Sequence, residues 1–299
     1  MNWDLLEREK TYLVGVSGGV DSVYLLHQLH EAHFDRLIVC HFNHQLRGPQ
    51  SEEDEAFVLQ LAQTLNLPFE SARAPIATLA QERKESVETC ARHARHAFFQ
   101  EMASRYDAHA LLLAHHLEDQ AETVLFNLCR GSHGLKGMKA ISEVGPLTIL
   151  RPLLNVRKQS ILSSNLAYRQ DASNFQSIAT RNRLRLEAIP LLSEILGSDV
   201  IPKIAAAAHR TAEIDFISSF NLLDPQGRLY LPAFTGLPPA LHQTAMHQFL
   251  KRVPVPNLTS IHIQQVTQLA TRTTPPAQIN LPGRHRARRA QKRLWIEQF

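Results

Sequence analysis

Cysteine is scarce in this chain. Its 299 residues include three, Cys40, Cys90 and Cys129, an odd number without a CxxC pair. That pattern argues against a disulfide scaffold and against structural zinc. It leaves each cysteine as a small buried apolar residue. No early apolar segment resembles a signal peptide, and no run is long enough to span a bilayer. A soluble cytoplasmic protein with no membrane partner fits these absences. Internal repeats and low-complexity linkers are missing as well. The charge balance has no strong sign: 32 Lys and Arg stand against 28 Asp and Glu, a net +4. Such a balance accommodates a polyanionic partner without demanding one. With 44% hydrophobic residues, the chain can bury one large core or two smaller ones.

The most informative stretch present is Ser17-Gly18-Gly19-Val20-Asp21-Ser22. An apolar run, Tyr12 to Val16, precedes it and reads as a buried parallel strand. Val23 to Leu29 follows and reads as a helix with one apolar face. Strand, Gly-rich turn and helix together aim backbone N–H groups and a helix N-terminus at a phosphate. No Gly-Lys-Ser/Thr follows, so this is not a Walker loop. Asp21 would repel a polyphosphate unless it holds Mg²⁺ or meets an ammonium group. A tight turn capped by Ser and Asp is the plainer reading, but it does not require both glycines, both serines and the acid together.

The first half alternates strands and helices. Strands are expected at 36–42, 69–76 and 110–114, with helices at 52–65, 86–106 and 115–129. Ser51 is the expected cap of the 52–65 helix, whose early acids suit the helix dipole. This pattern predicts a doubly wound parallel α/β sheet with helices on both faces. Ligands in such sheets bind at the carboxyl ends of the strands. Three polar clusters share that address: Ser17–Ser22, His41–Arg47 and His115–Glu122.

Within the third cluster, Asp119 and Glu122 share one helical face and suit Mg²⁺ or an amine. For Glu118 a capping role is the better reading. Zinc held by His115 and His116 is disfavoured, because adjacent strand residues point to opposite faces. Glu88 and Arg92 form an i, i+4 pair, so a surface ion pair and a phosphate contact by Arg92 and Arg95 are evenly matched.

After Leu150 a helix is expected from Val156 to about Gln170, a turn at 171–174, and helices at 180–196 (kinked by Pro190) and 205–220. We expect domains at 1–219 and 220–299, the second a small α+β unit with a basic tail. Arg181, Arg183 and Arg185, with Arg151, Lys158 and Arg169, could track a phosphate backbone. The tail from Arg284 to Arg293 contains no acid. On a strand, Arg284, Arg286 and Arg288 would share a face, either as a solvated edge or as a nucleic-acid surface.

Ser17–Ser22 resembles the PP-loop of ATP pyrophosphatases. The ordered set that includes His41-Phe42-Asn43-His44, Glu88…Arg92…Arg95, Ala114 to Thr123, Arg151-Pro152-Leu153-Leu154, Asp171…Ser173-Asn174 and Arg181-Asn182-Arg183…Arg185 resembles the tRNA(Ile)-lysidine synthetases. The 237–241 and 281–283 stretches with the basic tail resemble that family's first C-terminal domain. Glu118 stands where many members carry Asp. The segment 175–180 departs from the family pattern, and the chain looks like the short form.

The resemblance implies a ligase using ATP and Mg²⁺. It would join free lysine to C2 of cytidine 34 in tRNA(Ile) with a CAU anticodon, through an adenylated cytidine, releasing PPi and AMP. It implies ATP binding by Ser17, Gly18, Gly19, Val20, Asp21 and Ser22, and catalytic roles for Asp21, His115, Asp119, Arg92 and Arg95. Lysine would meet Asp119 and Glu122, and Mg²⁺ would meet Asp21 and Asp119. Arg151, Arg181, Arg183, Arg185, Arg284, Arg286 and Arg288 would meet tRNA. Family members are often homodimers. The rival readings are a tRNA thiolase of the same superfamily, a small-molecule synthetase and a non-catalytic tRNA binder.

Overall fold

The computed structural model describes residues 1–132, 135–169, 180–218, 220–253, 255–272, 274 and 277–299. The turn expected at 171–174 and the boundary residue Ser219 lie outside these. The chain divides into two compact units, Met1–Ala206 and Ala207–Phe299. The division falls inside a helix rather than at the expected boundary near Ser219.

In the first unit, β1 (Tyr12–Gly15), α1 (Val20–Glu31), β2 (Leu37–Asn43), α2 (Pro49–Thr64), β3 (Phe69–Arg73), α3 (Ile76–Arg83), α4 (Val87–Arg105), β4 (Ala110–Leu112) and α5 (Leu117–Cys129) follow in order. A hairpin of β5 (Ile141–Val144) and β6 (Leu147–Leu150) comes next. The sheet order is β3-β2-β1-β4-β6-β5, parallel except for the β5–β6 pair. The hairpin puts an antiparallel edge on the expected parallel sheet.

Burial explains the double winding. Tyr12 and Val14, Leu37 and Val39, and Ala110 and Leu112 pack with α1 and α2 on one face. Leu13, Ile38, Cys40 and Leu111 pack with α3 and α4 on the other. Side chains alternate along each strand, so a run that is apolar at every position must be covered twice.

Several expected boundaries move. Helix α2 begins at Pro49, with Gly48 as its N-cap, so Ser51 lies inside it. The third strand ends at Arg73, short of the expected Ile76, and the chain turns into α3, a helix that the sequence reading did not assign. The long helix expected from Val156 is only α6 (Lys158–Leu162), after which the chain runs as a turn and irregular segment to Arg169. The helical stretch from Thr180 to Ile195 comprises α7 (Thr180–Arg183), a π-type turn at Leu184–Ala188 and α8 (Ile189–Ile195). Ile189 N–H donates to Leu184 O, one residue beyond the α spacing. Pro190 has no N–H, and its ring crowds the carbonyl four residues back. The wider turn accommodates that crowding without ending the helix.

Helix α9 (Ile201–Ser218) carries the division between units. The second unit then holds β7 (Leu229–Tyr230), α10 (Leu231–Thr235), α11 (His242–Leu250), α12 (Ser260–Thr271), β8 (Gln278–Leu281), β9 (His285–Ala290) and β10 (Arg293–Gln298). Its antiparallel sheet runs β7-β10-β9-β8. Leu229, Phe234, Met246, Phe249, Val266, Leu269, Ala287 and Leu294 form its core. The basic tail is therefore a hairpin. Its strand β9 is hydrogen-bonded on both sides and is not a solvated edge.

Candidate active site

Three chain segments meet beyond the carboxyl ends of β1, β2 and β4, where the connections diverge from β1 to opposite sides. A cleft of about 380 Å³ lies there, lined by Ser17, Gly19, Asp21 and Ser22 from the first segment, His44 and Arg47 from the second, and His115 and Asp119 from the third. The carboxyl ends of parallel strands are where backbone and helix dipoles leave a site for a ligand.

The glycine loop is built from its own side chains. Ser17 N–H donates to Ser22 Oγ (3.1 Å), Ser22 Oγ–H donates to Gly19 O (2.9 Å) and Gly19 N–H donates to Ser17 Oγ (3.3 Å). Gly18 holds φ at +92°, which a side chain would strain. Helix α1 has no side-chain cap at its N-terminus, so its first N–H groups face the cleft as an anion receptor. Beneath the loop, buried His41 places Nδ1 2.8 Å from Val16 O. Burial lowers its pKa, so it acts as a neutral prop.

Asp21 does meet an ammonium group, and the group belongs to the chain itself. Lys158 Nζ sits 2.6 Å from both carboxylate oxygens. Lys158 belongs to the site and not only to a basic track. His116 Nε2 lies 3.6 Å from Asp21 Oδ1 and 3.5 Å from Asp119 Oδ2, while its Nδ1 lies 3.1 Å from Glu118 Oε2. Glu118 also accepts from Arg157 Nε and from Lys158 N–H, both at 2.8 Å. It anchors the start of α6 and so places Lys158. The capping role anticipated for Glu118 falls to Asp119, which accepts from His116 N–H (2.9 Å) while also lining the cleft.

The adjacent histidines are set apart electrostatically. Burial pushes His115 down to about 4, with Arg151 and Arg95 adding to the effect. Its buried Nδ1 has no hydrogen-bond partner among the described residues. His116 is raised: burial opposes its charge, but Glu118, Asp119 and Asp21 together outweigh that cost. The two neighbouring imidazoles are thus pushed in opposite directions, His115 toward the neutral form and His116 toward the cation. Strand β4 ends at Leu112, so the strand alternation that was to separate the two rings does not apply. His44, also facing the cleft, is held at about 4 by burial and the Arg95 charge.

The other expected residues divide. Arg95 lines the cleft with no ion-pair partner among the described residues. Arg92 pairs with Glu88 on the outer face of α4 at 2.9 Å. Glu122 is half-buried one turn beyond Asp119; burial and the Asp119 charge raise its pKa, while Arg185 and Arg181 pull it down. Arg181 and Arg185 fall on one helical face four residues apart, Arg181 covering the Phe126 ring at 5.0 Å. Arg183 points elsewhere, to Glu187. Arg151 binds Lys139 O and Ser142 Oγ, each at 2.8 Å, so it ties the hairpin to the sheet. Arg169 closes the loop from above, donating its N–H to Gly18 O (2.9 Å) and pairing with Glu53 and Asp54.

In the second unit Arg286 and Arg288 share the Glu297 carboxylate and lie over the rings of Phe299 and Trp295. Arg284 sits in the turn before β9, at φ +59°. It is off the stripe on which the strand reading placed it.

His116 is a site residue that sequence reasoning did not assign, and Lys158 and Arg169 were expected on a basic track rather than at the cleft. His116 had a local signal: it stands three residues before Asp119 at a helix start, the spacing of a capping box. Lys158 and Arg169 had none, because Lys158 reaches Asp21 across 137 residues.

For Mg²⁺ the donor set is sparse. Among the described residues no group of three His, Cys, Asp or Glu could hold a metal. Asp21 and Asp119 nevertheless face one cleft, and Mg²⁺ commonly takes one or two carboxylates plus substrate phosphates. The two carboxylates fit that mode only with phosphate oxygens completing the shell and with Lys158 released from Asp21.

Comparison with known proteins agrees with this geometry. Residues 3–192 match a PP-loop domain, and residues 229–295 match the TilS substrate binding domain. A tRNA(Ile)-lysidine synthase of Parabacteroides distasonis is 35% identical, covering 98% of this chain and 67% of the relative. One from Geobacter sulfurreducens is 44% identical, covering 68% and 43%. The chain thus spans two thirds or less of these relatives' own lengths. A solved U34-tRNA thiolase of Methanococcus maripaludis shares the fold at a TM-score of 0.55, with 17% identity over 70% of this chain and 74% of that one. With a PP-loop domain over most of its length and full-span identity of this order, the chain belongs to the tRNA(Ile)-lysidine synthase family.

Proposed function

We propose that this chain ligates lysine to C2 of cytidine 34 in a CAU-anticodon tRNA(Ile), using ATP. The observation that carries this reading is one cleft that joins an anion-receiving glycine loop to the Asp21–His116–Asp119 cluster. Phosphate chemistry and amine chemistry then share one address.

In the first half-reaction, O2 of the cytidine attacks the α-phosphate of ATP, and the bond to the β-phosphate breaks with loss of PPi. The N–H groups at the start of α1 and the Ser17 and Ser22 hydroxyls would receive the departing charge. Mg²⁺ on Asp21 and Asp119 would offset charge on the phosphates. Arg95, unpaired at the cleft wall, suits the α-phosphate. His115 is neutral near pH 7 and can donate a hydrogen bond without adding charge.

In the second half-reaction, the lysine amine forms the bond to C2 and AMP leaves with the former O2. The ammonium must lose one proton to a base before it attacks, and the nitrogen loses a second after the bond to C2 has formed. Asp119 and Glu122, two like charges on one helical face, favour a cation between them. Arg92 and the remaining arginines of the sequence reading belong to this proposal as tRNA or phosphate contacts. Cytoplasmic location and a homodimer belong to it too. The dimer is supported by the exposed apolar row Leu191, Leu192, Ile195 and Leu196.

The thiolase reading is the weaker one. Cys40 and Cys90 are buried, whereas Cys129, expected to be buried as well, is exposed; burial pushes the Cys40 thiol up to about 12, far from the thiolate that sulfur chemistry needs. The test is ATP–PPi exchange. Exchange that requires a CAU-anticodon tRNA(Ile) supports the reading, and exchange indifferent to tRNA overturns it.

A further inference from the structure

We propose that a cavity in the second unit, between the last turn of α9 and α11, holds one unstacked nucleotide of an RNA substrate. The inference rests on the reading that this chain binds tRNA, and it adds a site that the reading does not contain. The cavity measures about 250 Å³, below the roughly 300–1,000 Å³ of pockets that enclose a drug-sized ligand. It admits a single base and not a whole cofactor.

Its lining has the chemistry of a base receptor. Leu229, Ala245 and Phe249 form an apolar floor, and Phe220 stands at the rim, 39% exposed. Gln248 lies in the wall, and its buried Nε2 has no hydrogen-bond partner among the described residues. A buried amide donor left unpaired is uncommon and costly, and the edge of a base supplies the acceptor it lacks. Arg252, four residues further along, lies on the same face and lines the same cavity. It is exposed and makes no ion pair among the described residues, so its guanidinium is available to the nucleotide's phosphate. An aromatic ring, an amide and an unpaired arginine are the elements with which proteins hold splayed-out bases.

The surroundings match in charge. The second unit carries eleven Lys and Arg against four acids, a net +7. A cavity in this field concentrates anionic chains.

The test is equilibrium binding of the full chain to a CAU-anticodon tRNA(Ile) transcript across a range of KCl concentrations. Gln248→Leu removes a buried unpaired donor, so its melting temperature is expected to hold or rise, while its affinity falls about tenfold with an unchanged salt slope. Arg252→Gln should weaken binding and reduce the slope by about one. Phe220→Trp adds an indole at the rim, whose fluorescence should be quenched on tRNA addition beyond any change in the parent chain. Wild-type affinity in Gln248→Leu, or no added quench in Phe220→Trp, overturns the pocket while tRNA binding stands. A parent chain that does not bind the transcript removes both the pocket and the reading beneath it.

Discussion

The two units use charge in opposite ways. The first has a net charge of −3 although it contains the anion-receiving loop, and the second has +7. In the first, cations around the cleft are held by acids: Arg47 by Asp54, Arg157 by Glu118 and Asp199, Lys158 by Asp21, and Arg169 by Glu53 and Asp54. What remains for a ligand is directional: backbone N–H groups, Arg95 with no ion pair among the described residues, and two histidines whose pKa values are pushed in opposite directions. In the second unit Arg210, Lys251, Arg252, Arg272, Arg284 and Lys292 are exposed and lack ion pairs among the described residues. That charge is diffuse, which suits steering and holding a long polyanion. The net +4 of the whole chain conceals this division of labour.

The comparison breaks first at Asp119. Asp119→Asn keeps an acceptor for His116 N–H but removes the charge beside the His116 ring. We expect lysine incorporation to fall by ~10²–10³-fold, the scale for losing one aligned electrostatic group in an active site, with little change in melting temperature. Asp119→Ala should abolish incorporation and, having lost the cap, cost about 1 kcal/mol of stability as well. Incorporation at the parental rate in either variant would remove Asp119 from the chemistry.

Lys158 comes next. Its pair with Asp21 is about a third exposed, so Lys158→Met should cost under ~1 kcal/mol in stability. It should nonetheless slow tRNA-dependent ATP–PPi exchange by about tenfold or more, because the ammonium that Mg²⁺ frees from Asp21 is then missing beside the phosphates. A large loss of melting temperature with normal exchange would make Lys158 a structural strut only.

Acid should act on both units in one window. Glu118 is drawn down to about 2: burial opposes this, but bonds from His116, Lys158 N–H and Arg157 prevail. Asp224 of the second unit is drawn to about 2 by Arg228 and Arg293 against its own desolvation. Both folded pKa values lie below their unfolded ones, so the stability they contribute is present above the unfolded pKa and is lost as pH falls through the folded one. Melting followed from about pH 5 to pH 2 should show this decline. Asp224→Asn should flatten it for the second unit and leave the first unchanged.

The smallest effect is expected at Arg286 and Arg288. Glu297 already holds both, so Arg288→Gln should alter the salt slope of tRNA binding less than Arg252→Gln does. Cutting the chain at residue 284 is no test of this, since β9 and β10 carry the core residues Ala287 and Leu294.

What the sequence disclosed and what it concealed differ in range. The glycine loop, the doubly wound sheet and the placing of Asp21 and Asp119 in one cleft were legible, because each follows from a local pattern and a topological rule. The β5–β6 hairpin was not read, although Gly145-Pro146 between two short, partly apolar runs is a local turn signal. The helix expected after Val156 stops at Leu162 although Tyr168 packs on the same core as Ile161, because Asn165 takes a left-handed φ of +52° that a continuing helix does not allow. Partners such as Lys158 for Asp21, or Glu297 for Arg286, depend on chain segments brought together only by the folded sheet. Charge counting along the tail therefore could not tell a paired arginine from an unpaired one.

The most direct measurement uses the full chain, ATP, Mg²⁺ and radiolabelled lysine with either total tRNA or a CAU-anticodon tRNA(Ile) transcript. Label should enter only that tRNA, with AMP and PPi formed in step. ATP cleaved to AMP and PPi with no lysine transferred would contradict the account, because the Asp119 side of the cleft would then serve some nucleophile other than lysine.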